Sequence, residues 1–227
     1  MSLQRVLEPE VMDTVDEAIA YDKMAHAEVN QKFAADFWEV GYDDQLGADG
    51  EVLDLGAGTG LIPIEICKQA GATRPIRLMA VDLSISMLEL ARNNVEVANM
   101  MDRIQLDRID AKGIQYQDGR FAAVISNSII HHIPDPATSL AESVRVTADG
   151  GRLFFRDLYR PDSKSELEYL VETYAGQEEA HSQQMFRESL HAALTLAEIQ
   201  AMVTDLGFDP STVEMTSDRH WTWNATK

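Results

Sequence analysis

Val52-Leu-Asp-Leu-Gly-Ala-Gly-Thr-Gly60 decides the fold, because it joins an apolar segment to three closely spaced glycines. The apolar residues before Gly56 predict a buried strand, and the pattern after Gly60 predicts a helix. Glycine adopts positive φ readily and has no side chain to hold a ligand away from the backbone. The stretch therefore predicts a strand, a tight turn and a helix, with a turn against which a cofactor can lie.

The spacing of the glycines separates two classes of cofactor. The dinucleotide fingerprint requires glycine at the first, third and sixth positions, and Leu61 occupies the sixth position here. The third glycine is Gly60 at the fifth position, and Asp54 lies two residues before Gly56. This D-x-G-x-G-x-G pattern resembles motif I of the class I S-adenosylmethionine (SAM) dependent methyltransferases. A tight turn that binds no ligand is the simpler alternative.

The resemblance implies specific roles for the motif. The glycine turn is expected to pass beneath the methionine part of SAM, and Asp54 is expected to organise the loop and the cofactor's amino group. The product would be S-adenosylhomocysteine (SAH).

Strand and helix patterns alternate along the rest of the chain, which favours an α/β fold with a parallel sheet. Strands are predicted at 51–55, 76–82, 104–108, 121–126, 152–156, 212–216 and 219–225. The double glycine at 149–151 is predicted to form a turn before the fifth strand. The resemblance implies a Rossmann-like, doubly wound, seven-stranded and mostly parallel sheet with the last strand antiparallel.

A second acidic residue, Asp82, ends the second predicted strand. A carboxylate at this position can accept hydrogen bonds from both hydroxyls of a ribose, as it does in NAD enzymes, so it indicates an adenosine-containing cofactor. Leu83 is expected to lie against the adenine. The resemblance implies that Asp110 receives the adenine amino group, although a simple turn aspartate is the alternative. The predicted cofactor-binding residues are Asp54, Gly56, Ala57, Gly58, Gly60, Asp82, Leu83, Met87, Asp110, Ala111, Asn127 and Tyr21.

The segment after the fourth predicted strand, 127–134, bears on the methyl acceptor. It lacks the (D/N)-P-P-(Y/F) signature of enzymes that methylate bases in DNA and is similar to the form in family members that methylate small molecules. His131, His132 and His220 are the candidate catalytic bases, since histidine titrates near neutrality. His131 and His132 are adjacent and cannot both face a site on extended backbone, so one of them is expected to be structural.

The chain is predicted to form one methyltransferase domain. Its parts are a helical N-terminal lid (1–48), a SAM-binding core (49–157), a helical insertion over the ligand crevice (158–195) and a closing helix and strand hairpin (196–227). Tyr21, Met24 and His26 are the lid residues that could face the cofactor, with simple packing on the sheet as the alternative. The insertion is expected to determine substrate choice.

Composition excludes several classes of function. The sequence has 38 acidic and 19 basic residues and a net charge of −19, and so acidic a surface repels nucleic acid and anionic lipid. The single cysteine, Cys67, excludes a disulfide framework. No metal site is expected, because Glu178 and Glu179 face different directions on a helix beside His181. No apolar run is long enough for a membrane span and no signal peptide is evident, so a cytoplasmic protein is expected.

Three functions therefore remain. The first is a SAM-dependent methyltransferase acting on a small molecule. The second is a SAM-binding regulator or partner-binding protein, or a protein methyltransferase, on the same fold. The third is an NAD-dependent oxidoreductase. A homodimer is possible in each case.

Overall fold

The computed structural model describes residues 3–11, 13–23, 27–39, 50–72 and 74–227, so the predicted lid residues Met24 and His26 lie outside the described residues. The chain divides into two compact units. The first unit consists of residues 11–127, 138–154 and 225–227, and the second consists of residues 1–10, 128–137 and 155–224. That the whole chain forms one domain remains a prediction.

The strands form a single seven-stranded sheet. They are β1 (Glu51–Leu55), β2 (Arg77–Asp82), β3 (Ile104–Arg108), β4 (Phe121–Asn127), β5 (Thr147–Leu158), β6 (Val213–Met215) and β7 (His220–Thr226). Their order across the sheet is β3-β2-β1-β4-β5-β7-β6. β1 is parallel to β2 and β4, and β2 is parallel to β3, whereas β6 and β7 are antiparallel. The predicted Rossmann-like fold is confirmed.

The described ranges contain eight α-helices. They are α1 (Val15–Lys23), α2 (Ala27–Glu39), α3 (Leu61–Ala70), α4 (Ile85–Val97), α5 (Pro136–Val146), α6 (Lys164–Ala175), α7 (Ala180–Ala192) and α8 (Leu196–Asp205). None of these helices is long and apolar enough to cross a membrane.

Aromatic packing holds α2 in the core of the first unit. Phe33 and Phe37 are fully buried, and their ring centroids lie 5.0 and 6.2 Å from that of Phe154 on β5. A buried Phe side chain stabilises a fold by roughly 1.5–3 kcal/mol relative to an exposed one. The apolar face of α2 is therefore its packing face.

The helical insertion forms its own apolar cluster in the second unit. Leu167, Leu170 and Val171 of α6 pack with Leu190 of α7. Thr195 and Glu198 form a capping box at the start of α8, because they exchange side-chain and backbone hydrogen bonds. The insertion is thus a packed helical hairpin.

The double glycine at 149–151 departs from its prediction. We expected a turn there, but β5 begins at Thr147 and includes these residues. The reason is pairing with the C-terminal residue: the Gly150 amide donates to the Lys227 carbonyl at 3.0 Å, and the Lys227 amide donates to the Gly151 carbonyl at 2.9 Å. Position 150 still requires glycine, because its φ of +77° lies in the left-handed region.

Candidate cofactor site

The glycine turn after β1 is fixed by backbone hydrogen bonds to β2. Gly56, Gly58 and Gly60 all have positive φ, at +75°, +54° and +78°. The amides of Gly56 and Ala57 both donate to the carbonyl of Val81 at 2.9 Å. The turn is therefore a pre-formed, half-buried main-chain surface in the first unit.

Asp82 joins this turn to the start of α4. Its Oδ2 accepts a hydrogen bond from the Gly58 amide at 2.8 Å, and its Oδ1 accepts one from the Ser84 amide at 2.9 Å. The Leu83 amide is a third donor. Burial raises the pKa of Asp82 above its ordinary value, although these hydrogen bonds oppose the rise. Three donors use most of the roughly four acceptor positions of a carboxylate, which leaves about one for a ligand hydroxyl.

Asp54 is the least satisfied polar group of the turn. Its side chain is 2% exposed, and within the described part of the chain its Oδ2 has no hydrogen-bond partner. Burial, together with the neighbouring charge of Asp82, raises the pKa of Asp54 to about 8. A buried acceptor without a donor is costly, so this position favours a ligand that brings a cation or a hydrogen-bond donor.

A cleft of about 350 Å³, open to solvent, lies against the turn. Its lining residues are Tyr21, Asn30, Asp54, Gly56, Ala57, Thr59, Leu61, Ile62 and Asn127. Besides Asp54 Oδ2, the buried Oδ1 of Asn127 and Oγ1 of Thr59 have no hydrogen-bond partner among the described residues. The cleft thus combines polar groups that need a partner with apolar walls, as small-molecule sites do.

The structure brings together five of the predicted cofactor residues around this cleft. They are Tyr21, Asp54, Gly56, Ala57 and Asn127. Gly58 and Gly60 belong to the same turn. The other predicted residues, Asp82, Leu83, Met87, Asp110 and Ala111, lie at or just beyond the carboxyl ends of β2 and β3. Ligands of open α/β sheets bind at this edge.

Two of these strand-end residues have defined local partners. Oδ1 of Asp110 accepts hydrogen bonds from the backbone amide and the ammonium of Lys112, at 2.9 and 3.0 Å. Burial opposes the shift, but the contacts with Lys112 lower the pKa of Asp110 below its ordinary value. The Met87 amide donates to Ser84 Oγ at 3.1 Å, so Ser84 is the N-cap of α4. Contacts of Asp110 and Met87 with adenine remain predictions.

Sequence reasoning did not assign four residues of the cleft. Thr59 belongs to the motif and Leu61 follows it directly, so the predicted glycine turn could have indicated both residues. Ile62 follows in the first turn of α3. Asn30 comes from α2, far from the motif in sequence, and no pattern in its own segment points to the cleft.

The three candidate catalytic histidines lie in the second unit. His131 is buried and hydrogen-bonds through Nδ1 to the carboxylate of Asp157. Burial by itself would lower the pKa of His131, but the Asp157 charge raises it above the ordinary value. Burial and the neighbouring His131 lower the pKa of His132 to about 3. Burial and Arg219 lower that of His220 to about 4.

These environments limit what each histidine can do. His131 faces acidic partners on both ring nitrogens, with Nε2 3.4 Å from Glu8 Oε1. His220 Nδ1 lies 3.0 Å from Ser217 Oγ. A low pKa keeps His132 and His220 neutral at pH 7 but makes each a weak base. A catalytic role for any of the three stays a prediction.

Residues 53–155 match the family model described as methyltransferase domain. The chain is 33% identical over 117 residues to demethylmenaquinone methyltransferase of Lactiplantibacillus plantarum. The aligned residues cover 52% of this chain and 48% of that protein. It is 27% identical over 169 residues to 27-O-demethylrifamycin SV methyltransferase of Amycolatopsis mediterranei, covering 74% of this chain and 57% of that protein. The chain spans about half the length of the curated relatives it matches.

The fold has relatives among solved structures. A SAM-dependent methyltransferase from Aquifex aeolicus superposes with a TM-score of 0.66 at 15% identity, covering 94% of this chain and 98% of that one. The fold, the glycine turn and the match over residues 53–155 support a class I SAM-dependent methyltransferase.

Proposed function

We propose that this protein transfers a methyl group from SAM to a small-molecule acceptor. The observation that supports this function most directly is the buried, unpaired Oδ2 of Asp54 beside the glycine turn. SAM brings an ammonium group on the amino acid end that lies against such a turn in this class. The ammonium would supply both the hydrogen bond and the positive charge that Asp54 lacks.

The residues of the first unit suit each part of the cofactor. The absence of side chains at the glycines of the turn allows close approach of the methionine part, and Asp82 retains an acceptor position for a ribose hydroxyl. The unpaired side chains of Asn127 and Thr59 add polar contacts at the cleft. A sulfonium supplies a methyl group that is already activated, so the protein mainly has to align it with the acceptor.

Charge favours SAM over a dinucleotide at this site. Asp54 lies next to Asp82, close enough for the charge of Asp82 to raise the pKa of Asp54. The Asp82 carboxylate, and Asp54 once a bound ammonium favours its ionised form, attract the cationic groups of SAM and repel the pyrophosphate of NAD. The electrostatics therefore agree with the glycine spacing in disfavouring an oxidoreductase.

A small-molecule acceptor is supported by the relatives, which include methyltransferases named for demethylmenaquinone and for 27-O-demethylrifamycin SV. The net charge of −19 disfavours nucleic acid as acceptor. A cytoplasmic location and a homodimer remain predictions from the sequence. Size-exclusion chromatography with light scattering would measure the oligomeric state directly.

Calorimetric titration with SAH tests the cofactor assignment without knowledge of the acceptor. NAD is titrated in parallel, Asp54→Asn is the test variant, and Asp102→Asn is the matched control because Asp102 is an exposed aspartate of the same unit. We expect one SAH site with micromolar affinity, weakened at least tenfold in Asp54→Asn and unchanged in Asp102→Asn. Absence of SAH binding in folded protein free of co-purified cofactor would refute the proposal.

Turnover then separates an enzyme from a SAM-binding regulator. SAH release is measured with a panel of phenols, alcohols and amines, with cofactor present at saturation. Acceptor-dependent SAH release supports the proposed enzyme. SAM binding without turnover on any small molecule, combined with methylation or capture of a protein partner, would favour the alternative functions.

A further inference from the structure

The N-terminal segment at residues 3–8 is held along the second unit by backbone and side-chain contacts. The Val6 amide donates to the His191 carbonyl at 3.1 Å. The Arg5 guanidinium donates to the carbonyls of Ala192, His131 and Ile133 at 2.7 to 3.1 Å. These contacts position Glu8 against the two adjacent histidines.

Glu8 and the two histidines form a compact cluster of potential metal ligands. Glu8 Oε1 lies 3.1 Å from His132 Nδ1 and 3.4 Å from His131 Nε2. One ligand atom from each of the three side chains lies within 4.8 Å of the other two. The side chains of Glu8 and His132 are only 9% and 17% exposed, so bulk water screens the cluster poorly.

The hydrogen bonds around the cluster fix where the ring protons lie. His131 bonds to the Asp157 carboxylate through Nδ1, so in the neutral ring the proton is on Nδ1 and Nε2 presents a lone pair. His132 is hydrogen-bonded to the backbone of Pro9, which has only a carbonyl to offer. His132 Nδ1 has no hydrogen-bond partner among the described residues, so Nε2 is the donor and Nδ1 also presents a lone pair.

Glu8 Oε1 is likewise without a hydrogen-bond partner in the described part of the chain. Two nitrogen lone pairs and a carboxylate oxygen thus converge on one small, buried volume. Such an arrangement is unfavourable unless a cation lies between the three atoms. A proton on His131 Nε2 would provide a hydrogen-bond donor only for the 3.4 Å contact with Glu8. The lone pair of His132 Nδ1 would still face the Glu8 carboxylate without a donor.

We propose that Glu8 Oε1, His131 Nε2 and His132 Nδ1 bind one divalent transition-metal ion of the Zn²⁺ class. Tetrahedral zinc with ligands at 2.0–2.1 Å places neighbouring ligand atoms about 3.3 Å apart. The two measured separations, 3.1 and 3.4 Å, lie on either side of that value. Three protein ligands leave one coordination position for water, as in open zinc sites.

Outer hydrogen bonds support each of the three ligands. Asp157 orients His131, the Pro9 carbonyl orients His132, and Ser189 Oγ donates to Glu8 Oε2 at 3.2 Å. Metal-ligating histidines almost always have such a second partner, which fixes the tautomer and directs the free lone pair at the metal.

The ligand types select the class of metal. Two imidazoles and one carboxylate suit zinc, copper, nickel or iron, whereas Mg²⁺ and Ca²⁺ prefer an all-oxygen shell. The ion would link residues 3–10 to the segment at 128–137, so its role would be to hold the N-terminal segment in place. The cluster is formed by residue 8 and residues 131–132, which is why no short metal-binding motif appears in the sequence.

Metal titration of the full-length, untagged protein tests the site. The protein is stripped with EDTA and titrated at pH 7.5 with Zn²⁺ by calorimetry and with Co²⁺ by visible absorption. The test variants are Glu8→Gln and His132→Gln, and the matched control is His181→Gln, because His181 is an exposed histidine of the same unit.

We expect one Zn²⁺ per chain with a Kd below about 1 μM, a visible Co²⁺ spectrum of tetrahedral type, and affinity at least tenfold weaker in both test variants but unchanged in the control. Saturating Zn²⁺ should also raise the unfolding temperature of the wild type, since an ion that binds only the folded state stabilises it. This last measurement needs no variant, so it decides the question even if a substitution prevents folding.

The proposal is overturned if stripped wild-type protein binds no stoichiometric Zn²⁺ and its unfolding temperature does not respond to the metal. It is also overturned if both test variants bind Zn²⁺ as tightly as the wild type. SAH titration of the same samples keeps the cofactor proposal separate, because the metal ligands belong to the second unit and the SAM-binding cleft to the first. Loss of metal with SAH binding retained supports the site in folded protein.

Discussion

The backbone amide of Gly58 donates a hydrogen bond of 2.8 Å to the Asp82 carboxylate, so the acidic residue at the end of β2 also fixes the glycine turn after β1. The same carboxylate accepts the Ser84 amide at the start of α4. A residue expected to contact ribose is therefore part of the scaffold that shapes the methionine side of the site. Substitution of Asp82 should therefore affect both the expected ribose contact and the shape of the glycine turn.

Asp82→Asn should reduce SAH affinity, and Asp82→Ala should reduce it further. Asparagine keeps one oxygen for a backbone donor, whereas alanine leaves the Gly58 and Ser84 amides without their charged acceptor. Hydrogen bonds to charged groups contribute roughly 1.5–3 kcal/mol each. We expect SAH affinity to fall at least tenfold in Asp82→Asn and further in Asp82→Ala, measured by calorimetry at pH 7.5. Equal affinity in the two variants would show that the turn does not depend on this carboxylate.

Much of the fold was predictable because its signals are local. The apolar runs and glycine positions predict each strand of the sheet within a few residues, and the Thr195 capping box is a pattern of four residues. The start of β5 was not predictable, because Gly150 and Lys227 pair across the chain. A pair of glycines predicts a turn when the distant residue that pairs with it, here Lys227, is not known.

The candidate site likewise combines residues that local patterns predict with contacts that depend on tertiary packing. The motif residues of the turn were predicted from spacing, but the partners of Asp82 depend on tertiary packing that no short pattern encodes. Asn30 reaches the cleft because α2 packs on the sheet through Phe33 and Phe37. The burial of His131 between Asp157 and Glu8 brings together three distant parts of the sequence. Such contacts follow from topology.

Asp54 should make cofactor binding depend on pH. Its pKa in the free protein is about 8, so it carries a proton at pH 7, and a bound ammonium would favour the ionised form. SAH binding at pH 7 should therefore release up to about one proton, and affinity should rise from pH 6 to pH 8 by up to about tenfold per pH unit. Calorimetry in buffers of different ionisation enthalpy measures this proton release. Asp54→Asn should abolish it.

The same group should make the stability of the ligand-free protein fall as pH rises. The folded pKa of Asp54 lies above its ordinary value of 3.8, so the folded state binds a proton that the unfolded state releases. The contribution is fully present below pH 3.8 and is lost as pH rises to about 8, by at most about 1.4 kcal/mol per pH unit. Asp54→Asn should thus equal the wild type near pH 4 and exceed it in unfolding free energy at pH 8. A constant difference across this range would contradict the assignment.

Gly60→Ala should destabilise the protein more than Gly58→Ala. Both residues have positive φ, which costs a non-glycine residue roughly 1–2 kcal/mol. A Cβ at Gly58 would meet only the Tyr21 ring, at 3.7 Å, whereas a Cβ at Gly60 would lie 3.3 Å from Ala91 Cβ on α4. Gly60→Ala therefore adds a steric cost against a fully buried residue. Urea unfolding should show a loss of about 1–2 kcal/mol for Gly58→Ala and a larger loss for Gly60→Ala.

Arg5→Lys should weaken the attachment of the N-terminal segment despite preserving the charge. The Arg5 guanidinium reaches the carbonyls of Ala192, His131 and Ile133 at the same time through its fixed fork of donors. A lysine ammonium is a compact charge and cannot reproduce that geometry. We expect amide hydrogen exchange at residues 3–8 to accelerate at least tenfold in Arg5→Lys, with a loss of about 1–3 kcal/mol in unfolding free energy. Arg92→Lys, the same substitution at an exposed arginine of α4, is the control and should leave exchange at residues 3–8 unchanged. Unaltered exchange in Arg5→Lys would mean that the backbone contacts of Val6 and the packing of Leu3 hold the segment without the guanidinium.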